Sequence, residues 1–156
     1  MLHQFTIKTL KMKRIDLFSV EPNAYKALVP LETYVQSSLL TKTHKELIKI
    51  RASQINGCAF CLDMHTKDAM KFGETPQRIF LLNAWRETDL FTEEEKIILE
   101  LTEQITLISK GGVTDELYSK AIAAFGENYV AQIIIACVAI NSWNRIAIST
   151  NKEIAK

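Results

Sequence analysis

Residues 46–65 read ELIKIRASQINGCAFCLDMH. Leu47, Ile48 and Ala52 lie on one apolar stripe at helical spacing, which predicts a helix over residues 41–55. Asn56-Gly57 is a turn signal that stops it. Cys58 opens the next helix, which runs to Phe72 and has Gly73 as a suitable residue just past its end. On that helix Cys58, Cys61 and His65 stand at i, i+3 and i+7, so all three share one face.

Working outward, the chain reads as helical almost throughout. It has 5 Gly and 3 Pro, few for an all-β domain full of turns. A helix is predicted from Pro22 to about Leu40, with Pro at the first helical position and a bend or break at Pro30. Thr75 caps a further helix that starts at Pro76. Thr92 and Glu95 form a capping box, and Glu93 and Glu94 suit the positive helix start. That helix ends before Gly111-Gly112. Thr114 caps the next, to about Phe125, and a last one covers roughly residues 128–149. Residues 1–20 hold apolar side chains without a helical period and read as an extended N-terminal arm. The expectation is one all-α domain of six to seven helices over residues 21–156.

The 156 residues suffice for one domain with a proper core. Net charge is +1 with both signs interspersed, so no basic patch for nucleic acid or anionic lipid stands out. No run of about 18 apolar residues suggests a membrane span. Lys8, Lys11, Lys13 and Arg14 have no apolar signal-peptide segment beside them, which leads to the expectation of a cytoplasmic protein. In a reducing compartment 3 cysteines are no disulfide framework, and a close pair is more often catalytic or metal-binding.

The chemistry lies in the cysteine pair. Unpaired N–H groups at a helix start stabilise an anion, so a cysteine there loses its proton more readily. Cys58 sits in that first turn. Cys61 is four residues before His65, whose neutral imidazole can accept its proton directly or through water. The two-residue spacer lets the sulfurs close a disulfide without unfolding the helix.

Other chemistries compete. Cys-x-x-Cys is half of many zinc sites, but no second such pair or His-x-x-x-His is present, and His44 or Glu46 joins only through the fold. Covalent haem attachment needs His where Leu62 stands. Two inert core cysteines remain an alternative. Cys137 lies in an apolar helix and reads as a small core residue. His3 and His44 read as surface residues. Trp143, Asn144 and Arg145 suggest a helix-packing or subunit contact, with Arg145 paired to a carboxylate.

The stretch Glu46 to His65 resembles the alkylhydroperoxidase D-like branch of the carboxymuconolactone decarboxylase superfamily. The resemblance continues through Gly73-Glu74-Thr75, Ala84-Trp85-Arg86, Leu90-Phe91-Thr92 and Ile140-Asn141-Ser142-Trp143-Asn144-Arg145. It implies an all-α fold assembled into trimers or hexamers, and peroxidase activity without an organic cofactor. It implies that Glu46 and His65 form a proton relay, that Cys61 attacks the peroxide, and that Cys58 resolves it and meets a dithiol or protein reductant. The turn at Asn56-Gly57 can bring Glu46 back toward the cysteine helix.

One departure stands out. The best-studied alkylhydroperoxidase D has histidine immediately before its second cysteine, and Phe60 stands there here. A thiol–disulfide reductase or redox sensor is therefore an alternative, as is a non-enzymatic metal-binding or assembly module. The decarboxylases that name the superfamily lack the cysteine pair, which argues against lactone decarboxylation.

Overall fold

The structure is a computed structural model that describes residues 12–154. The first part of the expected arm, with His3, lies outside those residues. Residues 17–20, read as part of an extended arm, form the short helix α1 (Leu17–Val20), capped by Asp16. Then come α2 (Pro22–Ser37), α3 (Lys42–Asn56), α4 (Ala59–Lys71), α5 (Pro76–Leu81), α6 (Glu93–Thr106) and α7 (Asp115–Ser149). A 3₁₀ segment, Leu82–Glu87, extends α5. Among the described residues there is no β-strand.

The predicted caps are in place. Thr75 Oγ1 accepts the Arg78 N–H and Thr114 Oγ1 the Leu117 N–H, each at 3.3 Å, and Thr92 and Glu95 close the capping box at 3.2 and 2.8 Å. Each such cap is worth about 1 kcal/mol. Two boundaries differ from expectation. Pro30 does not break α2, which is continuous through it. Pro30 and Lys26 both face solvent, so the carbonyl that the proline cannot serve turns outward. The two last predicted helices run end to end as α7, interrupted only at Gly126, whose φ of 76° lies in the left-handed region.

α3 is the central element, buried on two sides. Ile48 and Ala52 pack with Ile98 and Leu101 of α6 and with Ile133, Ala136 and Ile140 of α7. Leu47 and Ile50 face a second cluster of Leu82, Trp85, Phe91 and Leu99. A fully buried side chain of this size contributes about 1.5–3 kcal/mol. Among the described residues, α7 is the one helix long and apolar enough to resemble a membrane span. In this fold it is a core helix, packed on α2, α3 and α6.

α3 and α4 form a tight antiparallel hairpin. Gly57 takes the left-handed conformation (φ 70°, ψ 34°) at the end of α3. The Cys58 N–H then reaches back to the Ser53 carbonyl at 3.0 Å, which satisfies an end-of-helix acceptor. This turn delivers the cysteine pair to the middle of the bundle.

Candidate active site

Cys58 is the N-cap of α4, one position outside the first turn expected for it, and its sulfur accepts the Cys61 N–H at 3.4 Å. A sulfur at this place faces the positive end of the helix, which favours thiolate. Cys61 is the third residue of α4. The two sulfurs are joined as a disulfide, with Cα atoms 5.4 Å apart. Cys58 is 1% and Cys61 2% exposed, so reagents reach them only through cavities.

The hairpin brings Glu46 to the cysteine helix. The Glu46 Oε2 lies 3.0 Å from His65 Nδ1, and both side chains are buried. The carboxylate accepts the Nδ1 proton, which leaves Nε2 as the ring nitrogen free to take one. Of the four residues singled out in the sequence, Glu46 thus meets His65, Cys58 is bonded to Cys61, and Glu46, Cys61 and His65 border one cavity.

Cys61 and His65 border an open cavity of about 620 Å³, lined by α2, α3, α4, α7 and the start of the chain's described part. Part of its wall is apolar and aromatic, formed by Phe18, Tyr25, Phe60, Met64, Trp143 and Ile146, and charged and polar side chains complete it. Phe18 stacks edge-on against Tyr25 and Trp143 with centroids 4.5 and 6.0 Å away. Cys58 borders a different cavity of about 550 Å³, formed with the end of α7 and residues 151–154. Phe60 lines both and separates the two sulfurs' approaches.

A charged pair in the larger cavity escaped the sequence reading. Lys49 Nζ donates to Glu32 Oε1 at 2.6 Å, with Lys49 2% exposed. Burial pushes the Glu32 carboxyl up, but the Lys49 hydrogen bond and charge outweigh it and hold the group below its ordinary value. The available signal was a lysine among Leu47, Ile48 and Ile50, where every neighbour is buried. Its partner is on another helix and was invisible.

The Asn-x-Trp-Asn-Arg segment braces the hairpin. Asn56 Nδ2 donates to Asn141 Oδ1 at 2.9 Å and to Asn144 Oδ1 at 2.8 Å, and Asn144 Nδ2 donates to Ser53 Oγ at 3.0 Å. Arg145, expected to meet a carboxylate, instead donates to the Asn141 carbonyl and side-chain oxygens at 3.0 and 2.9 Å. Asn141 is one turn away on the same helix and presents two oxygens together. His44, expected at the surface, is half-buried against Phe125 and Tyr129, with Nδ1 2.6 Å from the Tyr129 hydroxyl. Burial holds its pKa below the ordinary value. Cys137 is fully buried, as expected, and burial pushes its thiol up to about 12. Among the described residues no three His, Cys, Asp or Glu side chains are grouped to hold a metal ion.

A helix-start dithiol beside a carboxylate-oriented imidazole, on an all-α hairpin core, defines a candidate thiol-redox site. Residues 22–104 match the carboxymuconolactone decarboxylase family, and the chain belongs to that family, in its alkylhydroperoxidase D-like branch. It is 46% identical to the uncharacterised protein YdfG of Bacillus subtilis (strain 168), over 92% of this chain and 97% of that one. A crystal structure from Agrobacterium tumefaciens has 40% identity and a TM-score of 0.89, covering 93% of this chain and 99% of the other. That protein is described as of unknown function and proposed as an antioxidant defence protein, AhpD. The debrominase Bmp8 shares the fold at 15% identity, with a TM-score of 0.78 over 88% of this chain and 74% of its own.

Proposed function

We propose that this protein is a thiol-dependent peroxidase acting on organic hydroperoxides. The observation that carries this reading is the placement of Cys61 and the Glu46–His65 pair on one cavity wall, with Cys58 at bonding distance behind. His65 Nε2 takes the Cys61 proton. The thiolate attacks the terminal peroxide oxygen, so an S–O bond forms and the O–O bond breaks. Cys61 becomes a sulfenic acid and the alcohol leaves after protonation. The Cys58 thiol then displaces water from that sulfur and closes the disulfide.

The aromatic walls favour an organic over a small hydrophilic peroxide. The separate cavity beside Cys58 gives a dithiol reductant its own approach to the disulfide, by exchange at that sulfur. A homo-oligomer, trimer or hexamer, is part of the same proposal; Leu39 and Phe80, 70% and 76% exposed, are apolar side chains free to meet another copy. Light scattering tests it, and a strictly monomeric mass opposes it.

The test of the activity is a thiol count on the reduced protein before and after one equivalent of cumene hydroperoxide. Loss of two thiols, restored by a dithiol and absent in Cys61→Ser, supports the proposal. No loss, with rapid reduction of a disulfide-bonded protein substrate instead, selects a thiol–disulfide reductase. Bmp8, which shares the fold, is a debrominase crystallised with 2,3,4-tribromopyrrole, so that compound is the comparison substrate in the same assay.

A further inference from the structure

Lys49 is the one cation buried in the wall of the cavity that holds Cys61. The other lysine there, Lys152, is exposed, and the carboxylates facing the cavity are Asp16, Glu32, Glu46 and Asp68. The titratable groups are completed by His65 and the exposed phenol of Tyr25. Asp16 is bonded to Ser19, Asp68 to Lys71, and Glu46 to His65. Among the described residues Glu32 is the carboxylate left to pair with Lys49, and the neighbouring buried Lys45 is turned to the Gln36 carbonyl.

That pairing is lopsided. Glu32 Oε1 accepts both Lys49 Nζ, at 2.6 Å, and Gln36 Nε2, at 2.8 Å. The ammonium has three hydrogens, and among the described residues it bonds no acceptor besides this one oxygen. Two donors on a 2% exposed side chain therefore have no partner among the described residues while the side chain borders a cavity. Burying an ammonium carries a desolvation penalty of several kcal/mol, and an apolar residue of similar volume is commonly as stable or more so. A brace between α2 and α3 gives no reason for the spare hydrogens.

The register of the hairpin says what they face. Glu46 is level with His65, and Ser53 is level with Cys58 through its carbonyl. Lys49 lies between Glu46 and Ser53 on α3, and it borders the same cavity as Cys61 and His65 of α4. His65 is placed to remove a proton from that sulfur. Lys49 brings a positive charge to the same cavity.

We propose that Lys49 is the fixed cation of this site, holding Cys61 as a thiolate and offering its spare hydrogens to the oxygen that leaves the peroxide. The first half concerns the sulfur alone and is independent of the peroxidase reading; the second rests on it. In the attack the thiolate sulfur donates an electron pair to the terminal oxygen, and the O–O pair departs on the alkoxide oxygen. Lys49 stabilises that oxygen by hydrogen bonding, and the alkoxide is protonated by the histidine that took the thiol proton.

The experiment titrates Cys61 in the reduced Cys58→Ser protein by the pH dependence of iodoacetamide alkylation, with Lys49→Met, Lys49→Arg and Glu32→Gln added. The expected result is a Cys61 pKa about one unit higher in Lys49→Met, roughly a tenfold loss of thiolate at neutral pH. Lys49→Arg keeps it near the parent value, and Glu32→Gln lowers it because an opposing charge is gone. An unmoved Cys61 in Lys49→Met, or an equal rise in Lys49→Met and Glu32→Gln, overturns the proposal and leaves a structural brace. For the oxygen, full-length Lys49→Met is compared with wild type at a pH where Cys61 is ionised in both. Tert-butyl hydroperoxide, with its poor leaving group, is expected to slow at least tenfold more than peracetic acid. Equal slowing of the two overturns that half. A wild type inert to both peroxides overturns the peroxidase reading and with it this half, while the alkylation result still decides the first.

Discussion

Glu46 and His65 are 19 residues apart in sequence, yet their side chains meet at 3.0 Å because the Gly57 turn folds α4 back along α3. The carboxylate fixes which imidazole nitrogen carries the proton. In Glu46→Gln the amide Oε1 can still accept the Nδ1 proton, but the negative charge that stabilises the imidazolium formed when His65 takes a proton is gone. Peroxide-dependent thiol loss is expected to slow on the order of 10²-fold at neutral pH. Stopped-flow oxidation of the reduced protein measures it, with circular dichroism confirming an unchanged fold. A rate within threefold of wild type removes the relay.

Asn144 is fully buried and spans the hairpin, bonding Ser53 of α3 and Asn56 at its end. Truncation to Ala leaves the Ser53 hydroxyl and one Asn56 hydrogen without their partner. The expected cost is about 2 kcal/mol. Urea unfolding at neutral pH reads it as a lower midpoint. A change under about 0.5 kcal/mol means that water or a side-chain shift replaces the bonds.

Most of the fold was legible because it is written locally. Thr75, Thr92 and Thr114 each cap the helix that follows, and each is recognisable from its own neighbours. The same holds for the i, i+3, i+7 stripe of Cys58, Cys61 and His65. Glu46 entered by resemblance and by the turn between the helices. Lys49–Glu32 was missed because its 17-residue separation crosses a helix boundary with no periodicity linking the two. Arg145 was misread for a related reason: a cation suggests a carboxylate, whereas Asn141 supplied two oxygens one turn back. A bend or break at Pro30 is what local sequence suggests, but the cost of a proline depends on whether the carbonyl it frees is buried.

Gly57 has positive φ, and a Cβ added there meets nothing within 4 Å. Gly57→Ala is therefore opposed by backbone conformation alone, at about 1–2 kcal/mol. Gly57→Asn should lose less, since asparagine tolerates this region better. Thermal unfolding ranks the three proteins. If Ala and Asn cost the same, the loss arises from packing around the turn rather than from its dihedrals.

Cys137 supplies a pH test that is independent of the redox pair. Its folded pKa is raised to about 12 from an ordinary 9.0, with burial as the cause and the Thr102 hydroxyl as a weaker opposing influence. In the unfolded chain the thiol ionises near its ordinary value. Between those pH values the unfolded state has lost a proton that the folded state keeps, so unfolding gains in favour as pH rises. The contribution to stability is fully present below pH 9.0 and is lost progressively toward 12. Cys137→Ala has no such proton. The stability difference, wild type minus Cys137→Ala, should hold constant from pH 7 to 8.5 and then fall by about 1.4 kcal/mol per pH unit above 9. Urea unfolding with reductant present measures both proteins, and their shared tyrosines and lysines cancel. A flat difference to pH 10 would show that Cys137 ionises in the folded protein almost as it does in water, and that the centre of the α6–α7 interface admits solvent.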